Sequence, residues 1–161
     1  MSKYVLIVIA LMFSTLSFAQ EIIEQDKITQ VLDQYHQAAE HADFERYFAT
    51  MDENAIILGT DGSERWTKES FKRYVNPYFK KGRGWKYTPV KRNLTIVKAN
   101  EVVLFDELLS NEAYGNCRGS GVLINTADGW KILQYNLTLV VPNDIATEVV
   151  SSIKKYRQLR P

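Results

Sequence analysis

The chain has 161 residues, of which 45% are hydrophobic and 24% are charged, with 20 basic and 19 acidic side chains. This length suits one domain with a sizeable core. The near-zero net charge lacks the electrostatic footprint of a nucleic-acid-binding protein, so no nucleic-acid partner is expected.

The first nineteen residues have the pattern of a secretory signal peptide. Lys3 supplies a positive start, residues 4–13 form a continuous apolar run, and Ala19 ends a small-residue cleavage site before Gln20. The apolar run is shorter than the roughly 20 residues of a membrane-spanning helix, so no stable membrane insertion is expected after cleavage. Removing nineteen of the 161 residues leaves 142. We expect residues 20–161 to form one domain of a secreted or periplasmic protein.

Neither the cysteine nor the histidines indicate a metal or nucleophilic site. Cys117 is the only cysteine, and an exported lone thiol is more often a buried small hydrophobe than a nucleophile. His36 and His41 are five residues apart, off the i, i+4 spacing that aligns two ligands on one helix face. No glycine-rich phosphate loop precedes a helix, and we expect no cofactor and no metal.

The first half of the mature chain is predicted to be mainly helical. Apolar residues recur at helical spacing from Ile28 to Ala39, which predicts an amphipathic first helix. Asp43 is a plausible N-cap for a short second helix, and residues 55–58 have the pattern of a short strand.

A third helix is predicted to begin after Thr67, whose side chain can cap it. Pro77 lacks a backbone N–H and is expected to kink or end this helix near Asn76.

After Gly84 the pattern changes to β-structure. Four long strands are predicted at 85–97, 102–109, 114–125 and 130–141. Asp128-Gly129 is a strong hairpin turn, and Asn143 or Asp144 can cap a final helix after Pro142. The order indicates an α+β domain with helices packed on one face of a curved antiparallel sheet.

The last predicted strand carries a polar stripe within an otherwise apolar run. Strict alternation puts Gln134, Asn136 and Thr138 on one face with Trp130 and Ile132. Such a stripe is typical of a lined cavity. The alternative is that the opposite face, from Leu133 to Leu139, forms the core while the amides face water.

Three segments resemble a known superfamily. Residues 35–43, 44–51 and 52–59 follow the opening of the nuclear-transport-factor-2-like (NTF2-like) superfamily, and the hairpin at 129–138 is similar to its closing strands. Within the superfamily the chain most resembles the SnoaL-like domains, over roughly Ile28 to Pro142. The resemblance implies a cone-shaped fold, in which a curved sheet wraps around N-terminal helices and a deep pocket lies at the open end.

The resemblance also orients the last strand and suggests a partner. It implies that Gln134 and Asn136 point into the cone. It further implies a homodimer in which a second copy covers the outer face of the sheet.

The chemistry of isomerases in this superfamily is only partly matched. Tyr35 occupies the position of their helix-borne tyrosine, whereas their catalytic carboxylate falls on Gly59. Asp61 could present a base from a shifted loop. Because glycine stands at the position of the catalytic carboxylate, the sequence disfavours isomerase activity.

The epoxide hydrolase pattern of this fold, two carboxylates bridged by an arginine, is also incomplete. Arg118 has Ser120 rather than an acid at the family's spacing. Asp106 or Glu107 could pair with Arg118, but strand alternation lets only one of the two face inward. A structural ion pair at a cavity wall is the favoured interpretation.

The sequence therefore predicts an exported SnoaL-like domain that binds a small, largely apolar molecule in its cone. Acid–base activity of the isomerase, hydrolase or cyclase type stays open, with Asp61 or Asp106 as base and Arg118 orienting an acceptor or anion. The predicted ligand-binding residues are Tyr35, Trp66, Tyr78, Arg118, Gln134 and Asn136. The alternative is a non-catalytic dimerisation or interaction module whose cone is filled by its own side chains.

Overall fold

The structure is a computed structural model that describes residues 24–159. The predicted signal peptide and its cleavage site lie outside this range. No helix within the described range combines the length and the apolar character needed to cross a bilayer.

Within residues 24–159, two helices precede the first strand, a third follows the second strand, and a fourth follows the last strand. The helices are α1 (24–40), α2 (Phe44–Ala49), α3 (Lys68–Phe79) and α4 (Ala146–Gln158), the last preceded by a 3₁₀ turn at Asn143–Ile145. The strands are β1 (Met51–Leu58), β2 (Arg65–Thr67), β3 (Thr88–Lys98), β4 (Val102–Asn111), β5 (Gly115–Thr126) and β6 (Gly129–Leu139).

The predicted N-caps Asp43 and Thr67 are confirmed. The predicted cap of the final helix by Asn143 or Asp144 is wrong, because both residues lie in the 3₁₀ turn and no side chain caps α4. The predicted end of the third helix near Asn76 is also wrong. The Asp43 side chain accepts a hydrogen bond from the Arg46 N–H at 3.1 Å, and Thr67 accepts one from the Ser70 N–H at 3.3 Å. Pro77 lies inside α3, which continues to Phe79. Phe79 is buried in the core beyond the proline, and this packing holds the last turn despite the missing donor.

The six strands form one sheet in the order β2-β1-β6-β5-β4-β3. Strands β3 to β6 form the predicted antiparallel meander, while β1 runs parallel to β6. The sheet is curved and unclosed, and α1 to α3 pack on its inner face, which confirms the α+β cone. The core between them is mainly aromatic and aliphatic, and its buried members on the helices include Ile28, Leu32, Tyr35, Tyr47, Phe48, Phe71 and Val75.

Strand β6 contains one residue more than its partner at mid-strand. Leu123 of β5 pairs with Ile132, whereas the preceding Val122 pairs with Gln134, so Leu133 has no partner in the ladder. This is a β-bulge, which shifts the alternation of the strand by one residue.

The bulge reverses the predicted orientation of the second half of β6. Trp130 and Ile132 are buried inside as expected, but the next buried residue is Tyr135, at 3% exposure. Gln134 and Asn136 therefore lie on the outer face. The predicted inward orientation of Gln134 and Asn136 is wrong because it assumed unbroken period-two alternation.

Gly119 on β5 makes room for the inward ring of Tyr135. A methyl group on Gly119 would collide with the Tyr135 hydroxyl and would lie 2.8 Å from its Cζ atom and 3.2 Å from Cδ1 of Leu109. The glycine thus permits the close approach of an aromatic ring to the backbone of β5.

We expect Gly119→Ala to lower the free energy of unfolding by about 1–3 kcal/mol, because Tyr135 or the backbone must shift. Urea denaturation followed by circular dichroism measures the change. The control is Gly62→Ala, since a methyl group at Gly62 meets no atom within 4 Å. Equal stabilities of the two variants would contradict the packing described here.

Candidate ligand-binding cavity

A cavity of about 260 Å³ lies between the helices and the inner face of β1 and β6. Its lining combines nine aromatic side chains with a few aliphatic and polar groups. The lining residues are Tyr35, Tyr47, Ile57, Leu58, Gly59, Thr60, Glu64, Trp66, Phe71, Tyr74, Trp85, Tyr87, Tyr114, Tyr135 and Leu137. Tyr74 and Tyr114 are 43% and 56% exposed, so the cavity reaches the protein surface.

The walls of the cavity are held by contacts between rings. Tyr35 of α1 lies between Tyr47 and Tyr135, with ring centroids 4.7 Å and 4.5 Å away. On the other side Trp66 stacks on Tyr74 at 4.9 Å. Aromatic pairs at such distances contribute beyond their buried area, so the cavity has a preformed shape.

The tyrosines of the cavity are held in their neutral form. Burial raises the pKa of Tyr35, Tyr47 and Tyr135 well above the ordinary value for tyrosine. Burial also raises the pKa of Tyr87 to about 12. At neutral pH these side chains therefore keep their hydroxyl protons.

A buried ionic cluster lies behind the tyrosines. Glu107 on β4 is fully buried, with Oε2 2.7 Å from Nε2 of His36 and Oε1 in contact with the Arg92 guanidinium. Nη1 of Arg92 also lies 2.9 Å from Asp33 Oδ1 and donates to the Thr29 carbonyl at 3.2 Å. The cluster joins α1 to β3 and β4, and none of its members lines the cavity.

The contacts of this cluster show which of the two predicted acids of β4, Asp106 or Glu107, faces inward. Glu107 points into the domain, and its partner is Arg92 rather than Arg118. The negative charge of Glu107 adds to burial in raising the pKa of Tyr35 and Tyr135.

Only two of the predicted site residues line the cavity. Tyr35 and Trp66 do so, on α1 and β2. Tyr78 is 45% exposed and lies outside the lining. Asp61 is also outside it, and its carboxylate accepts hydrogen bonds from Ser63, which lower its pKa.

The remaining predicted residues lie on the outer face of the sheet. Asp106 accepts a hydrogen bond from Nδ2 of Asn93 at 2.9 Å, and Arg118 is exposed. Gln134 and Asn136 share this face because of the bulge. The predicted pocket position is therefore wrong for Asp106, Arg118, Gln134 and Asn136.

Several cavity residues were absent from the sequence-based site. Glu64 is the only carboxylate among the described lining residues, and it lies on the same loop as the predicted Asp61. Tyr87 and Tyr114 immediately precede β3 and β5, and no spacing rule distinguishes them from ordinary core aromatics. Within the described residues, no three His, Cys, Asp or Glu side chains converge as a metal site.

The fold and cavity define a cone-shaped α+β domain with an aromatic interior site. A family model for the SnoaL-like domain matches residues 28–142. The chain belongs to this family, within the NTF2-like superfamily. No curated protein is similar enough in sequence to count as a relative.

Solved structures with the same fold have little sequence in common with the chain. A domain of unknown function with a cystatin-like fold from Nostoc punctiforme is 14% identical, with a TM-score of 0.66, and the match covers 85% of this chain and 92% of that one. An NTF2-like protein of unknown function from Pseudomonas putida is 15% identical, with a TM-score of 0.60 and coverages of 79% and 92%. A proposed dehydratase of the NTF2-like family from Streptomyces avermitilis is 12% identical, with a TM-score of 0.60 and coverages of 74% and 98%.

We expect the stability of the fold to fall as the pH rises above about 10, the ordinary pKa of tyrosine. The folded state holds the tyrosine protons more tightly than the unfolded chain, at Tyr35, Tyr47, Tyr87 and Tyr135. Their contribution to stability is therefore complete below this pH. It is lost as the pH rises from the unfolded-state pKa to the raised folded-state pKa values. Urea denaturation at pH 8, 10 and 11 measures the loss. Tyr87→Phe should make this loss of stability smaller. A stability that does not change with pH would contradict the raised pKa values of these tyrosines.

Proposed function

We propose that this chain is an exported domain that binds a small, largely apolar molecule in the aromatic cavity. The observation that carries the proposal is the open cavity of about 260 Å³ with nine aromatic lining residues. An interaction module with a plugged cone would have this space filled by its own side chains. Trp66 instead forms part of the wall, and Tyr78 lies outside.

The lining has the composition of a small-molecule site. Such sites are mainly apolar, with a small number of polar groups that orient the ligand. Here the polar lining residues are the tyrosines, Glu64 and Thr60. A ligand with a flat apolar body and one polar group matches this arrangement.

Binding is better supported than acid–base catalysis. The described lining contains one carboxylate and no histidine, whereas the family's acid–base mechanisms use two or more ionisable groups. The candidate bases Asp61 and Asp106 lie elsewhere. Among the described lining residues, Glu64 is the one carboxylate that could serve as a base in a reaction within this cavity.

We expect the neutral fluorescent probe N-phenyl-1-naphthylamine to bind with one-to-one stoichiometry. Leu137→Trp should weaken its binding by about tenfold or more, because the larger side chain occupies the cavity. Fluorescence titration measures both dissociation constants.

The control for this experiment is Leu139→Trp on the same strand. Leu139 is 46% exposed and lies outside the lining, so its replacement should leave the probe affinity unchanged. Equal affinities of the wild type and Leu137→Trp would contradict binding in this cavity.

We also propose a homodimer through the outer sheet face. Leu104 on β4 is 44% exposed, and the neighbouring outward side chains of Val122 and Ile124 on β5 are only partly buried. Burial of this apolar centre by a second copy would remove it from water. Gln134, Asn136 and Arg118 would then be interface residues rather than ligand contacts.

We expect sedimentation velocity to show a dimer that Leu104→Glu converts to a monomer, because a charge would be placed in the apolar centre of the interface. The control is Leu159→Glu, at an exposed position beyond α4. A monomeric wild type would contradict the dimer.

A further inference from the structure

The described lining of the cavity carries a negative charge and no positive one. Nine aromatic side chains and one carboxylate line it, and no lysine, arginine or histidine stands among the described lining residues. The nearby cation Arg92 is engaged by Glu107 and Asp33 in the cluster behind the tyrosines. The charged group available to a ligand in the lining is therefore an anion.

The loop between β1 and β2 fixes the position of this anion. Oε2 of Glu64 accepts a hydrogen bond from the Asp61 N–H at 3.1 Å, and the Gly59 N–H donates to the Glu64 carbonyl at 2.9 Å. A side chain at Gly59 would collide with the Glu64 carboxylate, so glycine leaves the space that this carboxylate occupies.

The charge of Glu64 acts on both sides of the cavity. It adds to burial in raising the pKa of Tyr74 on α3 and of Tyr87 near the start of β3. Neutral tyrosine and tryptophan rings carry a negative potential on their faces, and this potential attracts cations. The rings and the carboxylate thus favour the same sign of charge in a ligand.

We infer that the ligand class of this cavity is an organic cation, an alkylated ammonium group attached to a small apolar body. This inference rests on the proposed function and specifies its ligand. A quaternary ammonium group suits such a site, because it carries positive charge on a largely apolar surface and needs no hydrogen-bond acceptor. An anionic ligand would meet Glu64 with no compensating cation among the described lining residues, and a neutral one would leave the carboxylate unused.

Three probes of matched shape separate charge from size. Choline, 3,3-dimethylbutan-1-ol and 3,3-dimethylbutanoate share a branched head and carry positive, zero and negative charge. We expect isothermal titration calorimetry to show choline binding about tenfold more tightly than the alcohol, with the carboxylate weakest. An alcohol or carboxylate that binds as tightly as choline would overturn the inference, as would an absence of choline binding.

A matched pair of variants assigns the preference to Glu64. Glu64→Gln keeps a side-chain oxygen for the Asp61 N–H but removes the charge, and should lower the choline-to-alcohol affinity ratio about threefold or more. The control, Glu69→Gln, removes a 66% exposed carboxylate on α3 outside the lining and should leave the ratio unchanged. A ratio that Glu64→Gln does not change would overturn the role of Glu64.

The naphthylamine probe distinguishes failure of this inference from failure of the proposed function. Binding of the neutral probe without a preference for choline overturns the cationic ligand class alone. Absence of binding by the neutral probe and by choline overturns both.

Discussion

The β-bulge at Leu133 determines which side chains of β6 face the helices. Without the extra residue, Gln134 and Asn136 would face inward, and Tyr135 and Leu137 would lie outside. With it, Tyr135 lies 4.5 Å from Tyr35 on α1, and both rings line the cavity. Gly119 on the adjacent strand completes the arrangement, because only a residue without a side chain leaves room for the Tyr135 hydroxyl. The aromatic character of the cavity depends on this local geometry.

The ionic cluster around Glu107 supports the same wall from behind. A fully buried carboxylate is costly unless cations and hydrogen-bond donors surround it, and here Arg92 and His36 do so. Because His36 follows Tyr35 directly on α1, the hydrogen bond between His36 and Glu107 also fixes the part of the helix that presents Tyr35 to the cavity. Two adjacent residues of α1 thus link the ionic cluster to the wall of the cavity.

Much of the fold could be predicted from the sequence, because it is encoded in local signals. The Asp43 and Thr67 caps, the Asp128-Gly129 hairpin and the four long strands all follow from residue type and periodicity. The family resemblance added the cone shape, and the match over residues 28–142 agrees with it. The expected end of α3 near Asn76 is wrong because burial of Phe79 outweighs the hydrogen bond that Pro77 cannot donate.

The site was harder to predict, because it depends on features of strand pairing and loop conformation that no local sequence pattern encodes. A bulge of one residue reverses a face without changing strand propensity, so Gln134 and Asn136 were assigned inward. Tyr35 and Trp66 lie in the lining as expected, and their role in binding stays a prediction. Glu64 rather than Asp61 reaches the cavity because the loop turns between them, and this depends on the fold of residues 59–64.

The indole N–H signals of the three tryptophans report whether a ligand enters the aromatic cavity. Trp66 and Trp85 line the cavity, whereas Trp130 lies away from it and donates to Glu24 at 2.6 Å. In ¹⁵N-labelled protein titrated with N-phenyl-1-naphthylamine, we expect the Trp66 and Trp85 signals to shift together while the Trp130 signal stays in place. A shift of Trp130 alone, or saturation with no shift of Trp66 and Trp85, would contradict binding in this cavity.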